Sequence, residues 1–101
     1  MNQPKRKLAA IVFTDIVGFT ELSAKNESGA IELLNTQRDL LKPIVKEHSG
    51  DWLKEIGDGL LLTFNTIREA VFCSIAIQDA AKSVPELQLR IGIHQGEVAF
   101  Q

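Results

Sequence analysis

Residues 8–13 read LAAIVF, a short and continuous apolar run that ends at Phe13. A run of this length and composition is typical of a strand that is buried on both faces. A second run of the same kind, LLLTF, follows at residues 60–64. We therefore predict that these two segments form the central strands of one sheet.

Helices are expected between the two apolar runs. A short helix is predicted over residues 18–25, and a longer one to about residue 48. Pro43 lies inside the longer pattern and should kink or shorten that helix. Ser49-Gly50 follows it and is typical of a C-terminal glycine cap.

The second half of the chain predicts a hairpin, a helix and a last strand. Residues 51–64 form the hairpin, with Gly57-Asp58-Gly59 as the turn. Thr66-Ile67-Arg68-Glu69 is a capping box, in which both side chains can bond orphan backbone N–H groups of a helix to about residue 83. Residues 87–93 alternate between apolar and polar side chains, as a strand does.

The resulting order βααββαβ favours an α+β fold of the ferredoxin-like type. Right-handed crossovers give an antiparallel sheet with the strand order 4-1-3-2 and with the helices on one face. Because both central strands are apolar on both faces, helices on one side leave the other side uncovered. A partner subunit or a further part of the domain is expected to cover some of that surface.

Composition narrows the class of function. The 101 residues are 45% hydrophobic and 24% charged, as in an ordinary globular domain, and the net charge of −2 argues against a nucleic-acid partner. The single cysteine, Cys73, can form no internal disulfide.

The sequence has no signal peptide and no apolar run of about 18 residues, which predicts a cytoplasmic location without direct membrane contact. The alternative is that the segment is the cytosolic domain of a larger, membrane-anchored protein. Residues 1–7 are interpreted as a polar lead-in and residues 8–101 as the domain.

Two aspartates are expected to meet at one edge of this sheet. Asp15 follows the first strand and Asp58 occupies the hairpin tip. In the 4-1-3-2 order, strand three begins beside the end of strand one. Two carboxylates about 4 Å apart repel by roughly 1 kcal/mol in water and roughly 4 kcal/mol at a dielectric of 20. Magnesium or manganese ions remove that cost, and a pair of them suits in-line attack at phosphorus. A helix N-cap role for Asp15 and a turn role for Asp58 stay open as alternatives.

Three segments resemble the catalytic domain of the class III nucleotidyl cyclases. These are FTDIVGFT at residues 13–20, KEIGDG at residues 54–59 and RIGIHQGEV at residues 90–98, in the order and spacing of that family. The resemblance runs from about residue 8 to residue 98. It identifies the chain as the N-terminal half of such a domain.

The resemblance implies both a reaction and the residues that serve it. Asp15 and Asp58 would be the catalytic residues, holding two Mg²⁺ or Mn²⁺ ions, with the Ile16 carbonyl as a further metal ligand. The substrate would be ATP, whose ribose 3′-hydroxyl attacks the α-phosphate to give cyclic AMP and pyrophosphate. A helix start offers unpaired N–H groups to anions. The backbone amides that the resemblance assigns to the triphosphate are those of Gly18, Phe19 and Thr20.

Lys54 occupies the position that the family uses for choosing the purine. Lysine is typical of adenylyl cyclases and glutamate of guanylyl cyclases, since an ammonium donates to adenine N1 whereas guanine presents an N–H there. Glu55 should face the other side of the strand. The resemblance therefore implies an adenylate cyclase. A guanylate cyclase, a non-catalytic cyclase-like domain that binds nucleotide or dimerises, and a merely solvated Lys54 are the alternatives.

Two other uses of the fold fit less well. An RNA-binding sheet needs exposed aromatics on its central strands and a basic surface. A diguanylate cyclase needs a GG(D/E)EF hairpin, whereas the hairpin here reads IGDGLL. The resemblance also implies a second cyclase domain as a partner, either in a homodimer or as the C-terminal half that should follow Gln101. The later purine-selecting and transition-state residues would come from there, so the chain alone is expected to be inactive.

Overall fold

The computed structural model describes the backbone of residues 5–100 and the side chains of residues 8–97. The elements follow in the predicted order βααββαβ. They are β1 Lys5–Ile16, α1 Phe19–Lys25, α2 Glu27–Glu47, β2 Asp51–Ile56, β3 Gly59–Phe64, α3 Ile67–Ala81 and β4 Leu89–Phe100.

The four strands form one antiparallel sheet in the order β2-β3-β1-β4. This is the predicted 4-1-3-2 order read from the opposite edge, and it confirms the ferredoxin-like α+β fold. β1 begins at Lys5, where its backbone pairs with Phe100 at the end of β4. Of the polar lead-in predicted for residues 1–7, residues 1–4 lie outside the described part of the chain. The other three belong to β1, because ladder pairing depends on backbone groups rather than on apolar side chains.

The helices cover one face of the sheet, as predicted. Alternate side chains of the central strands, including Val12, Leu62 and Phe64, are buried on that face. Leu41 of α2 and Ile77 of α3 are buried in the same core cluster. The opposite face carries the other set of side chains, and Phe13 on it is 52% exposed. Within this chain the sheet therefore has one covered and one uncovered face.

The C-terminal end of α2 differs from expectation in two ways. The helix continues past Pro43 to Glu47, so the proline does not shorten it. Proline removes one N–H donor, and the last turn is held by bonds from Ser49 N–H to the Lys46 carbonyl and from Gly50 N–H to the Val45 carbonyl. The left-handed residue of this cap is Ser49, with a φ of 62°, and not the glycine. A Cβ at Gly50 would collide with the Phe64 ring, which explains the glycine at that position.

Helix α3 starts at the predicted capping box. The Thr66 hydroxyl accepts a hydrogen bond from Glu69 N–H at 3.1 Å and donates one to the Glu69 carboxylate at 3.1 Å. The glutamate therefore bonds the threonine hydroxyl rather than a backbone N–H group. Across the part of the chain that the structure describes, no helix has the length and apolar character needed to cross a membrane.

Candidate metal and nucleotide site

Asp58 is held against the end of β1 by the hairpin that carries it. Thr14 pairs with Leu60 across β1 and β3, and continuing that antiparallel register brings residue 58 opposite residue 16. The Asp58 carboxylate accepts a hydrogen bond from Ile16 N–H at 2.8 Å. A Cβ at Gly59 would lie 3.1 Å from the Thr14 carbonyl oxygen, so the glycine permits this close approach.

Asp15 lies at the same end of the sheet and pairs with Arg90 of β4. The guanidinium donates from Nε to Oδ1 of Asp15 at 2.8 Å and from Nη2 to Oδ2 at 3.2 Å. Hydrogen bonding to Asp15 and the charge of Asp15 raise the pKa of Arg90, and the charge of Asp58 adds to this effect. The charges of both aspartates therefore reach Arg90 at this edge of the sheet.

The topology thus places both aspartates at the same end of the sheet. Two carboxylates and a neighbouring main-chain carbonyl form an all-oxygen donor set, which fits Mg²⁺ or Mn²⁺. Among the described residues, no three His, Cys, Asp or Glu side chains cluster closely enough to hold a metal ion by themselves. An ion bound at Asp15 and Asp58 would therefore complete its coordination with carbonyl, water or substrate oxygens.

The three residues predicted to meet a triphosphate lie at the start of α1. Gly18 is the N-cap, with a left-handed φ of 77° and no side chain to cap the helix. The Phe19 ring packs against the core, while Thr20 is exposed. A pocket of about 240 Å³ lies at the start of α1. Its lining residues are Ile16, Val17, Gly18, Phe19, Leu22, Leu33, Pro85, Glu86 and Gln88.

Lys54 and Glu55 face opposite sides of β2, as the sequence predicts. Lys54 pairs with Leu61 and lies on the uncovered face. Glu55 faces the helix layer, where its carboxylate accepts two hydrogen bonds from Arg38, each at 2.7 Å. The bonds from Arg38 lower the pKa of Glu55. A register shift between Trp52 and Lys54 puts Lys54 on the uncovered face. Without this shift, Lys54 would pair with Leu60 and face the helices.

Two residues of the site were missed by sequence reasoning. Arg90 belongs to the segment RIGIHQGEV, and the pairing of β1 with β4 places it opposite Asp15. Gln37 of α2 is buried, and its side-chain amide lies 3.5 Å from the Asp58 carbonyl oxygen. The signal that would have identified it is a glutamine in an otherwise apolar stripe of α2.

Comparison with known proteins agrees with these features. The family model of the adenylate and guanylate cyclase catalytic domain matches residues 1–101. The chain is 39% identical over 97 residues to the serine/threonine-protein kinase pkn2 of Myxococcus xanthus, covering 87% of this chain and 12% of that protein. It is 34% identical over 105 residues to a Rhizobium meliloti (strain 1021) protein provisionally named adenylate cyclase 3, covering 96% of this chain and 18% of that protein. The chain therefore spans less than a fifth of either relative.

Two solved structures share the fold. They are the guanylyl cyclase Cya2 and the adenylyl cyclase CyaB from P. aeruginosa, each with a TM-score of 0.87 and 26% sequence identity to this chain. Each alignment covers 97% of this chain, and it covers 58% of the Cya2 chain and 60% of the CyaB chain. Each solved cyclase therefore has a substantial part that this chain does not match.

Proposed function

Since the chain belongs to the adenylate and guanylate cyclase catalytic domain family, we propose that it forms the metal-binding part of an adenylate cyclase site. The reaction is the conversion of ATP to cyclic AMP and pyrophosphate. The observation that carries the proposal is the hydrogen bond from Ile16 N–H to the Asp58 carboxylate, beside Asp15 at the same sheet edge.

Asp15 and Asp58 are the proposed metal ligands, with the Ile16 carbonyl as a third. These oxygens would hold Mg²⁺ or Mn²⁺, which would stabilise charge on the triphosphate and lower the pKa of the ribose 3′-hydroxyl that attacks the α-phosphate. The Ile16 N–H group orients one oxygen of Asp58, so this carboxylate is held in place before any ligand arrives. A carboxylate that is already fixed loses little conformational freedom when it binds a cation.

The nucleotide is proposed to lie along the same edge. Backbone amides at the start of α1 contact the triphosphate, because the N-cap glycine leaves them without a side-chain acceptor. The residues assigned to this contact are Gly18, Phe19 and Thr20. Lys54 donates to adenine N1 from the uncovered face of the sheet. The second domain that completes the site, in a dimer or from a further part of the protein, covers that face.

The function is tested with a chimera in which this chain replaces the matched part of the CyaB domain. We expect the chimera to make cyclic AMP from ATP with Mn²⁺, and the chain alone to make none. The proposed transition-state residues lie in the second domain, and one such donor is commonly worth about 10²–10³ in rate. The rate of cyclic AMP formation by the chain alone should therefore fall below detection. The control is the same chimera with Asp15→Asn. A folded chimera without product, or equal product from the Asp15→Asn chimera, would contradict the proposal.

Lys54→Glu in this chimera tests the choice of base. Turnover of ATP is expected to fall by about tenfold or more, because a carboxylate would meet the adenine N1 acceptor without a proton to share. Full activity on GTP should not appear, since the proposed second purine-selecting residue lies in the other domain. The measurement is kcat/KM for ATP and for GTP, with Lys46→Glu as the charge-matched control away from the site. Unchanged ATP turnover in Lys54→Glu would show that Lys54 does not contact the base, which would favour the guanylate cyclase alternative if GTP were also used.

A further inference from the structure

We propose that Arg90 competes with a divalent cation for the Asp15 carboxylate and so acts as a positioning residue that sets the metal affinity of the site. The inference rests on the proposed function, because it takes Asp15 as a metal ligand. It concerns a contact that the structure contains, between the side chains of two paired strands.

The Arg90 fork engages both oxygens of Asp15. Nε bonds one oxygen at 2.8 Å and Nη2 bonds the other at 3.2 Å. A carboxylate has about four lone-pair directions, and a bidentate fork uses one on each oxygen. A cation that approaches from the same side finds these positions taken. A cation on the other side is repelled by the nearby guanidinium.

The two aspartates are held in different ways. Asp58 is bonded by the neutral N–H group of Ile16, which carries no net charge that would oppose a cation. Asp15 is bonded by a cation whose side chain is 72% exposed, so Arg90 has room to swing away into solvent. Asp58 is therefore the fixed ligand, and Asp15 becomes available to a metal ion as Arg90 departs.

The competition makes a prediction opposite to that for an ordinary stabilising residue. Replacing Arg90 with glutamine is expected to tighten Mn²⁺ binding by about two- to tenfold, because an exposed ion pair is worth only a modest factor and a repelling charge is also removed. Arg90→Lys keeps the charge and loses the fork, so its affinity should lie between those of the wild type and Arg90→Gln. A merely structural arginine would leave the affinity unchanged or weaken it.

The matched control is Arg38→Gln. Arg38 also forms a two-point ion pair with a carboxylate, that of Glu55, but on the helix-covered side of the sheet. This substitution removes the same charge and the same kind of pair away from Asp15. We expect Arg38→Gln to leave Mn²⁺ affinity unchanged.

The experiment titrates the full chain with Mn²⁺ alone and measures free Mn²⁺ by electron paramagnetic resonance. It compares the wild type, Arg90→Gln, Arg90→Lys, Arg38→Gln and Asp15→Asn, with thermal melting to check that each variant is folded. Tighter binding by Arg90→Gln, an intermediate Arg90→Lys and an unchanged Arg38→Gln support the inference. If Asp15→Asn binds as well as the wild type, the proposed metal site itself fails, and the inference with it. If Asp15→Asn loses binding while Arg90→Gln binds no better than the wild type, only the inference about Arg90 is overturned.

Discussion

Asp58→Asn is expected to weaken Mn²⁺ binding by the chain by at least about 100-fold. Loss of a residue that only supports a metal ligand typically costs 10–100-fold in affinity, and removal of a direct ligand should cost at least the upper end of that range. Asparagine keeps a side-chain oxygen that can accept the bond from Ile16 N–H, so the hairpin should stay in place. The measurement is a titration with Mn²⁺ followed by electron paramagnetic resonance.

Asp51→Asn is the matched control for this experiment. Asp51 is an exposed aspartate at the other end of β2, paired with Thr63. Its replacement removes the same charge from the same hairpin and should leave Mn²⁺ affinity unchanged. Equal affinities for Asp58→Asn and Asp51→Asn would refute the assignment of Asp58 as a ligand.

Phe64→Ala is expected to lower the free energy of unfolding by about 3–5 kcal/mol. The side chain is 2% exposed and packs on the helix-covered face of β3, beside Gly50. The free energy of unfolding of a small domain is only about 5–15 kcal/mol in total. A substantial fraction of the Phe64→Ala molecules should therefore be unfolded in mild denaturant. Denaturation with urea, followed by circular dichroism, measures the loss.

Phe13→Ala is the control for the core substitution. Phe13 lies on the neighbouring strand β1 and faces the uncovered side of the sheet, where its ring lies over Gly92. Because about half of the side chain is already exposed, its loss should cost clearly less than the loss of Phe64. A larger loss for Phe13→Ala than for Phe64→Ala would mean that the helices do not cover the face described here.

The strand order could be predicted because few topologies satisfy the sequence. Two continuous apolar runs, at residues 8–13 and 60–64, predict two central strands, and right-handed crossovers between the elements favour the order 4-1-3-2. That arrangement predicts that Asp15 and Asp58 lie at the same edge of the sheet. The structure then supplied the bond from Ile16 N–H that holds Asp58.

Local irregularities could not be predicted in the same way. The register shift in β2 puts Lys54 on the uncovered face, yet nothing in the residues DWLKEI distinguishes a bulged strand from a regular one. The shift lets both Trp52, which packs against the core, and Glu55, which bonds Arg38 of α2, face the helix layer, and these are tertiary contacts. At the α2 cap, the left-handed residue is Ser49, whereas Gly50 occupies the position where the Phe64 ring leaves no room for a Cβ.

The pairing of Arg90 with Asp15 could be predicted only in part from the sequence. Both residues lie in strands that the sequence identifies, and the strand order makes them neighbours. The exact register of β1 against β4 was nevertheless needed to set them opposite each other. A shift of one residue would turn Arg90 towards the helices.

Paramagnetic broadening of backbone amide signals by Mn²⁺ tests the central claim most directly, because it locates the ion on the folded chain. On addition of small amounts of Mn²⁺ to ¹⁵N-labelled protein, we expect the signals of Asp15, Ile16 and the turn Gly57-Asp58-Gly59 to broaden first. The same addition to the Asp58→Asn variant should leave them sharp. Broadening that begins elsewhere, or that spreads evenly over the chain, would contradict a metal site at this edge of the sheet.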